Sequence, residues 1–138
     1  MERPSIETRE EVMFFDTDCG GVVHNLAYLR MIETARTRLA TEAMGMNLRQ
    51  MAEEKLFPVL LSTEASYKRP GTLGDGLLVR GRLASLERVR FWTEFELLRQ
   101  LDEQVLVTCR QSLALVRMPE GRPQRLPQEW TERWGGGG

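Results

Sequence analysis

Two aspartates and a glycine pair stand directly before the start of a predicted helix. Asp16 and Asp18 are followed by Gly20-Gly21, which are typical loop residues, and a helical pattern begins near Asn25. The free backbone N–H groups at a helix N-terminus carry partial positive charge and bind oxyanions. A carboxylate beside such donors can attack a carbonyl group, or activate water to do so, while the donors stabilise the oxyanion. In the alternative reading, both aspartates only cap the turn or the helix.

The helix that would supply these donors has one apolar stripe. Its apolar residues recur at three- and four-residue steps, the period of an amphipathic helix: Tyr28, Ile32, Ala35, Leu39 and Ala43. Asn25 is the predicted N-cap, and Gly45 follows the predicted end of the helix. A short second helix is predicted over 47–55, with Asn47 as its cap.

One strand is predicted before the long helix, over 6–15, and four after it. Alternating apolar residues between turn residues predict the later strands over 59–67, 77–86, 91–99 and 105–116. Consecutive strands joined by short turns favour an antiparallel meander, and one helix covers only one face of such a sheet. We therefore expect one α+β domain, an antiparallel sheet of about five strands wrapped around one long helix. Residues 118–138 are expected to form a partly flexible tail.

The composition excludes several classes of protein. A chain of 138 residues has the length of one domain, and its apolar fraction of 41% and charged fraction of 28% are typical of soluble globular proteins. The formal net charge of -1 leaves no basic surplus for nucleic acid. Cys19 and Cys109 fit no metal or redox spacing, and neither a signal peptide nor a membrane span is evident. We expect a cytoplasmic protein that uses no metal or cofactor.

Two segments of the chain resemble the 4-hydroxybenzoyl-CoA thioesterase family. The residues 16–23, followed by Tyr28-Leu29, Glu33 and Ala35-Arg36, fit the family pattern DxDxxGxV, four residues, then YLxxxExAR. Residues 67–70, Tyr-Lys-Arg-Pro, with Gly74-Asp75 resemble the family's YxxP…GD segment. The predicted strand order also matches the hotdog fold of this family. The resemblance covers roughly residues 6–117.

The resemblance implies hydrolysis of an acyl-CoA thioester to the free acid and CoA by a dimer or tetramer of hotdog domains. It makes Asp18 the nucleophile or general base and assigns Asp16 a supporting role. The backbone N–H of Asn25 would polarise the thioester carbonyl. One carboxylate and one backbone donor can suffice for this reaction, because a thiolate leaves readily when its thiol has a pKa of ~8.5.

The chain departs from the family at the start of the helix. Many bacterial relatives carry a tyrosine-histidine pair at positions 24 and 25, where this chain has His24-Asn25. If the family's histidine assists catalysis, Asn25 replaces it only as a hydrogen-bond partner. His24 is a lesser catalytic candidate, which otherwise faces solvent.

Further charged residues have both a functional and a purely structural reading. Some hotdog thioesterases outside this branch use a helix glutamate as the catalytic acid, which makes Glu33 the runner-up; otherwise Glu33 pairs with Arg36 or Arg30. Tyr28 is expected to contact the substrate. Four basic residues flank turns and either hold the CoA phosphates or are merely solvated: Lys68, Arg69, Arg88 and Arg90.

Two other functions compete with hydrolysis. A hotdog module can bind acyl-CoA without cleaving it, but such forms typically lose the catalytic acidic residue, which is present in this chain as Asp18. A hotdog dehydratase needs an acid-and-histidine motif that is not found in the helix region. The acyl group, whether aromatic, short-chain or long-chain, is left open because residues across a subunit interface set the pocket depth.

Overall fold

The computed structural model describes residues 2–135. Before residue 118, its main strands and helices follow one another along the chain in the predicted order. The strands are β1 (Ser5–Glu11), β2 (Leu56–Tyr67), β3 (Gly76–Leu86), β4 (Arg90–Arg99), β5 (Val105–Arg117) and β6 (Arg122–Gln124). The helices are α1 (Asn25–Arg38), α2 (Leu48–Glu54) and α3 (Gln128–Trp134). A 3₁₀ turn, Phe14–Asp16, takes the last part of the segment predicted as the first strand, and a π-helical turn, Leu39–Ala43, continues α1.

All strand pairs are antiparallel, and the order in the sheet is β1-β3-β4-β5-β2, with β6 added to β5. The predicted meander of four consecutive strands is therefore wrong for β2, which pairs with β5 at the far edge and not with β3. The reason lies in the connection over 68–75. Its eight residues exceed the two to five of a common hairpin loop and cross the end of the sheet.

Helix α1 packs its apolar stripe on one face of the sheet. Its buried residues are Ala27, Tyr28, Met31, Ile32 and Ala35, and Leu39 of the π turn extends the same stripe. Alternate residues of β3, β4 and β5 complete the core, because successive side chains of a strand point to opposite faces. Gly45, with φ of 76°, follows the helical segment as predicted. Within residues 2–135, none of the helices combines the length and the apolar character that a membrane crossing needs.

The C-terminal segment is ordered where the sequence predicted a tail. Leu126, Trp130 and Trp134 are buried in the core, and the Trp130 ring meets Phe91 edge-on at 5.3 Å between ring centroids. Arg3 donates hydrogen bonds to the carbonyl oxygens of Trp134 and Ala84. The tail prediction is therefore wrong for residues 122–134, where the side chains of Leu126, Trp130 and Trp134 cover the end of the sheet away from the α1 N-terminus. The predicted flexibility of residues 136–138 lies outside the described residues.

Candidate active site

Asp18 lies in a tight loop that holds one oxygen of its carboxylate. Its Oδ1 accepts hydrogen bonds from the backbone N–H of Gly20 at 2.9 Å and of Val22 at 3.3 Å. Gly21 makes this return possible, because its φ of 76° lies in the left-handed region. The other oxygen, Oδ2, makes no hydrogen bond with residues 2–135, and the side chain is exposed. The loop therefore orients a carboxylate and leaves one oxygen free to react.

The loop runs antiparallel to the segment that enters α1. The backbone N–H of Asp18 donates to the Val22 carbonyl at 2.9 Å, and that of His24 donates to the Asp16 carbonyl at 3.0 Å. This pairing brings the Asp18 loop next to the first turn of α1. Asp16 itself is buried, and its Oδ2 accepts the backbone N–H of Met13 at 3.0 Å. Asp16 thus stabilises the approach to the loop, which is consistent with a supporting role.

His24, and not Asn25 as predicted, is the N-cap of α1. Its Nδ1 accepts the backbone N–H of Ala27 at 3.2 Å. Because Nδ1 is an acceptor, Nε2 carries the proton and donates it to the carbonyl oxygen of Phe15 at 3.1 Å. Both ring nitrogens are therefore used within the fold. This arrangement favours a structural role for His24 over the lesser catalytic role considered above.

Asn25 is the first residue of α1, so its backbone N–H is one of those that have no acceptor within the helix. It makes no backbone hydrogen bond with any described residue outside the helix either. The side-chain Oδ1 accepts a hydrogen bond from the Tyr67 hydroxyl at the end of β2. This side-chain contact was not predicted, since the two residues are 42 positions apart in sequence.

The connection over 68–75 is fixed against α1 by a buried tyrosine. The Tyr28 hydroxyl accepts the backbone N–H of Gly71 at 2.8 Å, and the Val23 N–H donates to the Gly71 carbonyl at 2.9 Å. A side chain at position 71 would be tightly packed, because an added Cβ would lie 3.2 Å from the Val23 side chain and 3.3 Å from the Tyr28 hydroxyl, so that these groups would have to shift by a few tenths of an ångström. Burial raises the pKa of Tyr28. The Tyr28 hydroxyl thus has a structural role, and contact of Tyr28 with substrate stays a prediction.

A cleft of about 360 Å³ opens between the connection over 68–75 and the start of α1, next to the segment that follows the Asp18 loop; the Asp18 side chain itself does not line it. Its lining residues are Val22, Val23, Asn25, Tyr28, Tyr67, Lys68, Arg69 and Pro70. The rings of Tyr28 and Tyr67 form an aromatic wall, with 5.9 Å between their centroids. Lys68 and Arg69 are exposed, and neither forms an ion pair with a carboxylate of the described chain. The cleft therefore combines aromatic surface with uncompensated positive charge.

Arg88 and Arg90 lie far from this cleft within one protomer. They flank the β3–β4 turn at the start of β4, whereas Arg99 at its other end reaches the Pro70 carbonyl at 3.5 Å. Ten residues of β4 span about 30 Å at the rise of a strand. The four basic residues predicted to hold CoA phosphates therefore form two separate pairs. Of the four, only Lys68 and Arg69 line the cleft.

Glu33, the runner-up acid, does not line the cleft. It lies two turns beyond Asn25 on α1, and its carboxylate pairs with the Arg36 guanidinium at 3.1 Å, which was the structural alternative. The same guanidinium donates to the buried Gln111 at 2.8 Å. This pairing occupies Glu33 away from the reactive loop.

Arg99 is a site-supporting residue that the sequence reading missed. Its guanidinium lies 3.6 Å from the Asp75 carboxylate and 3.2 Å from that of Asp102. Asp75, the acid of the GD segment, also accepts the Thr72 backbone N–H at 2.9 Å. These contacts hold both ends of the connection over 68–75. No signal in the sequence marks Arg99, because its partners come from separate loops.

Comparisons with known proteins agree with the fold and with the family resemblance. A family model described as the thioesterase-like superfamily matches residues 12–134. A protein of Aquifex aeolicus named as an esterase is 34% identical over 83 residues, which are 60% of this chain and 64% of that protein. A 1,4-dihydroxy-2-naphthoyl-CoA hydrolase of Synechococcus elongatus is 29% identical over 128 residues, 88% of this chain and 90% of that protein.

Solved structures extend the comparison. A Bartonella henselae protein described as a probable thioesterase has 32% identity and a TM-score of 0.80, covering 89% of this chain and 99% of that one. The 4-hydroxybenzoyl-CoA thioesterase of a Pseudomonas strain has a TM-score of 0.85 over 94% and 98% of the two chains, and at 19% identity it shows the fold alone. The expected hotdog fold and the family resemblance are confirmed. The chain belongs to the thioesterase-like superfamily.

Proposed function

We propose that this chain, an acyl-CoA thioesterase of the hotdog fold, cleaves its thioester with Asp18 and the first turn of α1. The observation that carries the proposal is the Asp18 carboxylate, with one oxygen fixed by Gly20 and Val22 and the other free. The free oxygen attacks the carbonyl carbon directly or takes a proton from an attacking water. The backbone N–H of Asn25 stabilises the oxyanion. Collapse of the tetrahedral intermediate breaks the C–S bond, and the CoA thiolate leaves. Attack by water gives the free acid at once, whereas direct attack by Asp18 gives an acyl-aspartyl anhydride, which a water molecule then hydrolyses to the free acid and the regenerated carboxylate.

The positive charges beside the cleft support recognition of a CoA thioester. Lys68 and Arg69 follow directly on β2, and their backbone N–H groups donate to the Leu106 carbonyl at 2.8 and 3.2 Å. Their backbone is thus fixed while their side chains are exposed and lack carboxylate partners among residues 2–135. We assign the phosphates of CoA to these two residues and leave Arg88 and Arg90 out of this site. Tyr28 and Tyr67 would then flank the thioester end of the ligand.

The exposed edge of the sheet supports self-assembly. Strand β2 is an edge strand of twelve residues, and four consecutive or nearly consecutive apolar residues on it are between 37% and 49% exposed: Phe57, Val59, Leu60 and Leu61. Long apolar edges with unpaired N–H and C=O groups associate unless they are blocked. We propose that a second copy of the chain pairs here, giving a dimer or a tetramer. Light scattering that found a fully active monomer at micromolar concentration would contradict this.

The test of the proposed chemistry is Asp18→Asn, which keeps the size of the side chain and removes its charge. We expect turnover to fall at least ~10²-fold, because a positioned acid–base group contributes about that much. Binding of the acyl-CoA to the variant, measured by calorimetry, should persist. Release of free thiol from a panel of aromatic, short-chain and long-chain acyl-CoA substrates measures turnover and identifies the acyl group.

Glu33→Gln is the matched control, because it also replaces an exposed carboxylate by an amide. We expect near-wild-type turnover, since the Glu33 carboxylate is paired with the Arg36 guanidinium two helical turns beyond Asn25. An inactive Glu33→Gln protein beside an active Asp18→Asn protein would move the catalytic acid to the helix. Wild-type protein that binds acyl-CoA without releasing thiol would instead support a non-catalytic binding module. A cytoplasmic location and the absence of a cofactor stay predictions.

A further inference from the structure

A hydrogen bond between two side chains joins the edge of the sheet to the start of α1. The Tyr67 hydroxyl, on the last residue of β2, donates to Oδ1 of Asn25, the first residue of α1. Both side chains are exposed and line the same cleft. The bond is therefore part of the proposed site and not of the core.

This bond determines which end of the Asn25 amide faces the rest of the cleft. An asparagine side chain has a carbonyl oxygen that accepts and an NH₂ group that donates two hydrogen bonds. Because Oδ1 is engaged by Tyr67, the Nδ2 group is directed away from the tyrosine. Nδ2 makes no hydrogen bond with any residue from 2 to 135. Asn25 thus offers two kinds of unused donor, its backbone N–H and its side-chain amide.

The tyrosine that orients the amide is itself held by the fold. Its ring packs against Tyr28 with 5.9 Å between the centroids, and Tyr28 is buried and bonded to Gly71. The Tyr67 backbone also lies in register with Val107 of β5. The hydroxyl is therefore presented from a strand end that is paired with β5, although Tyr67 is half exposed to solvent.

We propose that the Asn25 side-chain amide is a second oxyanion donor and that Tyr67 is the positioning residue that orients it. The inference rests on the proposed thioester hydrolysis. As the carbonyl carbon becomes tetrahedral, negative charge collects on its oxygen, and Nδ2–H and the Asn25 backbone N–H both donate to that oxygen. The amide supplies neither a proton nor a covalent bond, so the reaction stays hydrolysis of a thioester by water. Its contribution is the electrostatic stabilisation that preorganised donors give.

Asn25→Asp is the sharpest variant because it keeps the shape and the acceptor but removes both Nδ2 donors. We expect turnover to fall about 10²- to 10³-fold, as when one oxyanion donor is removed from an enzyme. The thermal midpoint should be unchanged or higher, since a carboxylate in the first turn of a helix is stabilising. Asn47→Asp is the matched control at the start of α2, where Asn47 caps Gln50 and is remote from the cleft. That variant should keep wild-type turnover.

Tyr67→Phe tests the orienting role. We expect turnover to fall roughly tenfold with KM unchanged, because the amide is still present but no longer held in one orientation. In an Asn25→Ala background, Tyr67→Phe should cause no further loss, since Tyr67 acts only through Asn25. Rates are measured by thiol release on the acyl-CoA that wild-type protein hydrolyses fastest.

Full turnover in Asn25→Asp, or an equal Tyr67→Phe loss with and without the amide, would overturn the inference. A change in KM alone would also overturn it, because it would make Tyr67 a simple substrate contact. Failure of the inference and failure of the proposed function are distinguishable. An inactive Asp18→Asn variant beside an active Asn25→Asp variant rejects only the amide donor, whereas an active Asp18→Asn variant rejects the hydrolytic site.

Discussion

The phenolic oxygen of Tyr28 is the only acceptor found for the buried backbone N–H of Gly71 among the described residues, and its removal has a calculable cost. Tyr28→Phe deletes the acceptor and keeps the ring. A buried N–H left without a partner costs about 1–3 kcal/mol. For a chain of this length, we expect the thermal midpoint to fall by roughly 4–12 °C. The connection over 68–75 should then move more freely, and KM for the acyl-CoA should rise, because Lys68 and Arg69 lie on it.

The assay compares the only two tyrosines of the chain. Tyr67→Phe removes the same hydroxyl from a half-exposed side chain, so it should leave the thermal midpoint unchanged while lowering turnover. Tyr28→Phe should do the reverse, with a lower midpoint, a higher KM and nearly normal turnover at saturation. If Tyr28→Phe had the thermal midpoint and the KM of the wild-type protein, the Tyr28 hydroxyl would not hold the connection over 68–75.

The same variant has a pH signature. Burial is the main cause that raises the pKa of Tyr28 above its usual value near 10. The unfolded chain therefore loses the Tyr28 proton at a lower pH than the folded chain, and stability falls as pH rises through 10. Tyr28→Phe should show a smaller fall over this range, measured by urea unfolding at several pH values.

Two further outcomes follow from charge and burial. Alanine at Lys68 or Arg69 should raise KM more than it lowers turnover in thiol-release kinetics, because the lost contact stabilises the bound substrate and the transition state equally. Alanine at Arg88 or Arg90 should leave both constants unchanged. Burial raises the pKa of Cys109 to about 11, so the free energy of unfolding of the wild-type chain should fall between pH 9 and 11. Urea unfolding of Cys109→Ala should show a smaller fall, and an equal fall in both proteins would count against a buried thiol.

The elements with a strong period were predictable from sequence, whereas the order of the strands was not. Alternation gave the apolar faces of β3, β4 and β5, and the helical stripe gave α1. The place of β2 depends on which strand edge is free, and local periodicity carries no such information. The one available signal was the eight-residue connection over 68–75, which is too long for a tight hairpin.

The predicted helix cap and the predicted tail failed for different physical reasons. His24 and Asn25 both offer an acceptor for the first turn of α1, and propensity alone favours asparagine. His24 is the cap in the structure because a hydrogen bond from its Nε2 to the carbonyl oxygen of Phe15 holds the ring in the capping position. Trp130 and Trp134 lie four residues apart, as on one helix face, but the segment is rich in proline and charge. Burial against Phe91 outweighs that local preference.

The site was predictable only where its residues are close in sequence. Asp18 and the start of α1 lie within one motif, so their proximity follows from the loop. The pairing of Tyr67 with Asn25, and that of Arg99 with Asp75, unite residues from separate elements. Such contacts exist only after the sheet has formed, and no spacing rule in a single chain reveals them.

The pairing of β2 with β5 also has a consequence for the order of folding. The β3–β4 and β4–β5 hairpins form by closing short loops. Strand β2, in contrast, pairs Leu56 with Arg117 and Tyr67 with Val107, residues that are separated in the sequence by the whole of β3 and β4. Long loops cost more entropy to close, so we expect β2 to dock after the hairpins. The cleft depends on Tyr67 and on the connection that follows it. Catalytic competence should therefore be the last property that a refolding chain regains, later than its far-ultraviolet circular dichroism signal.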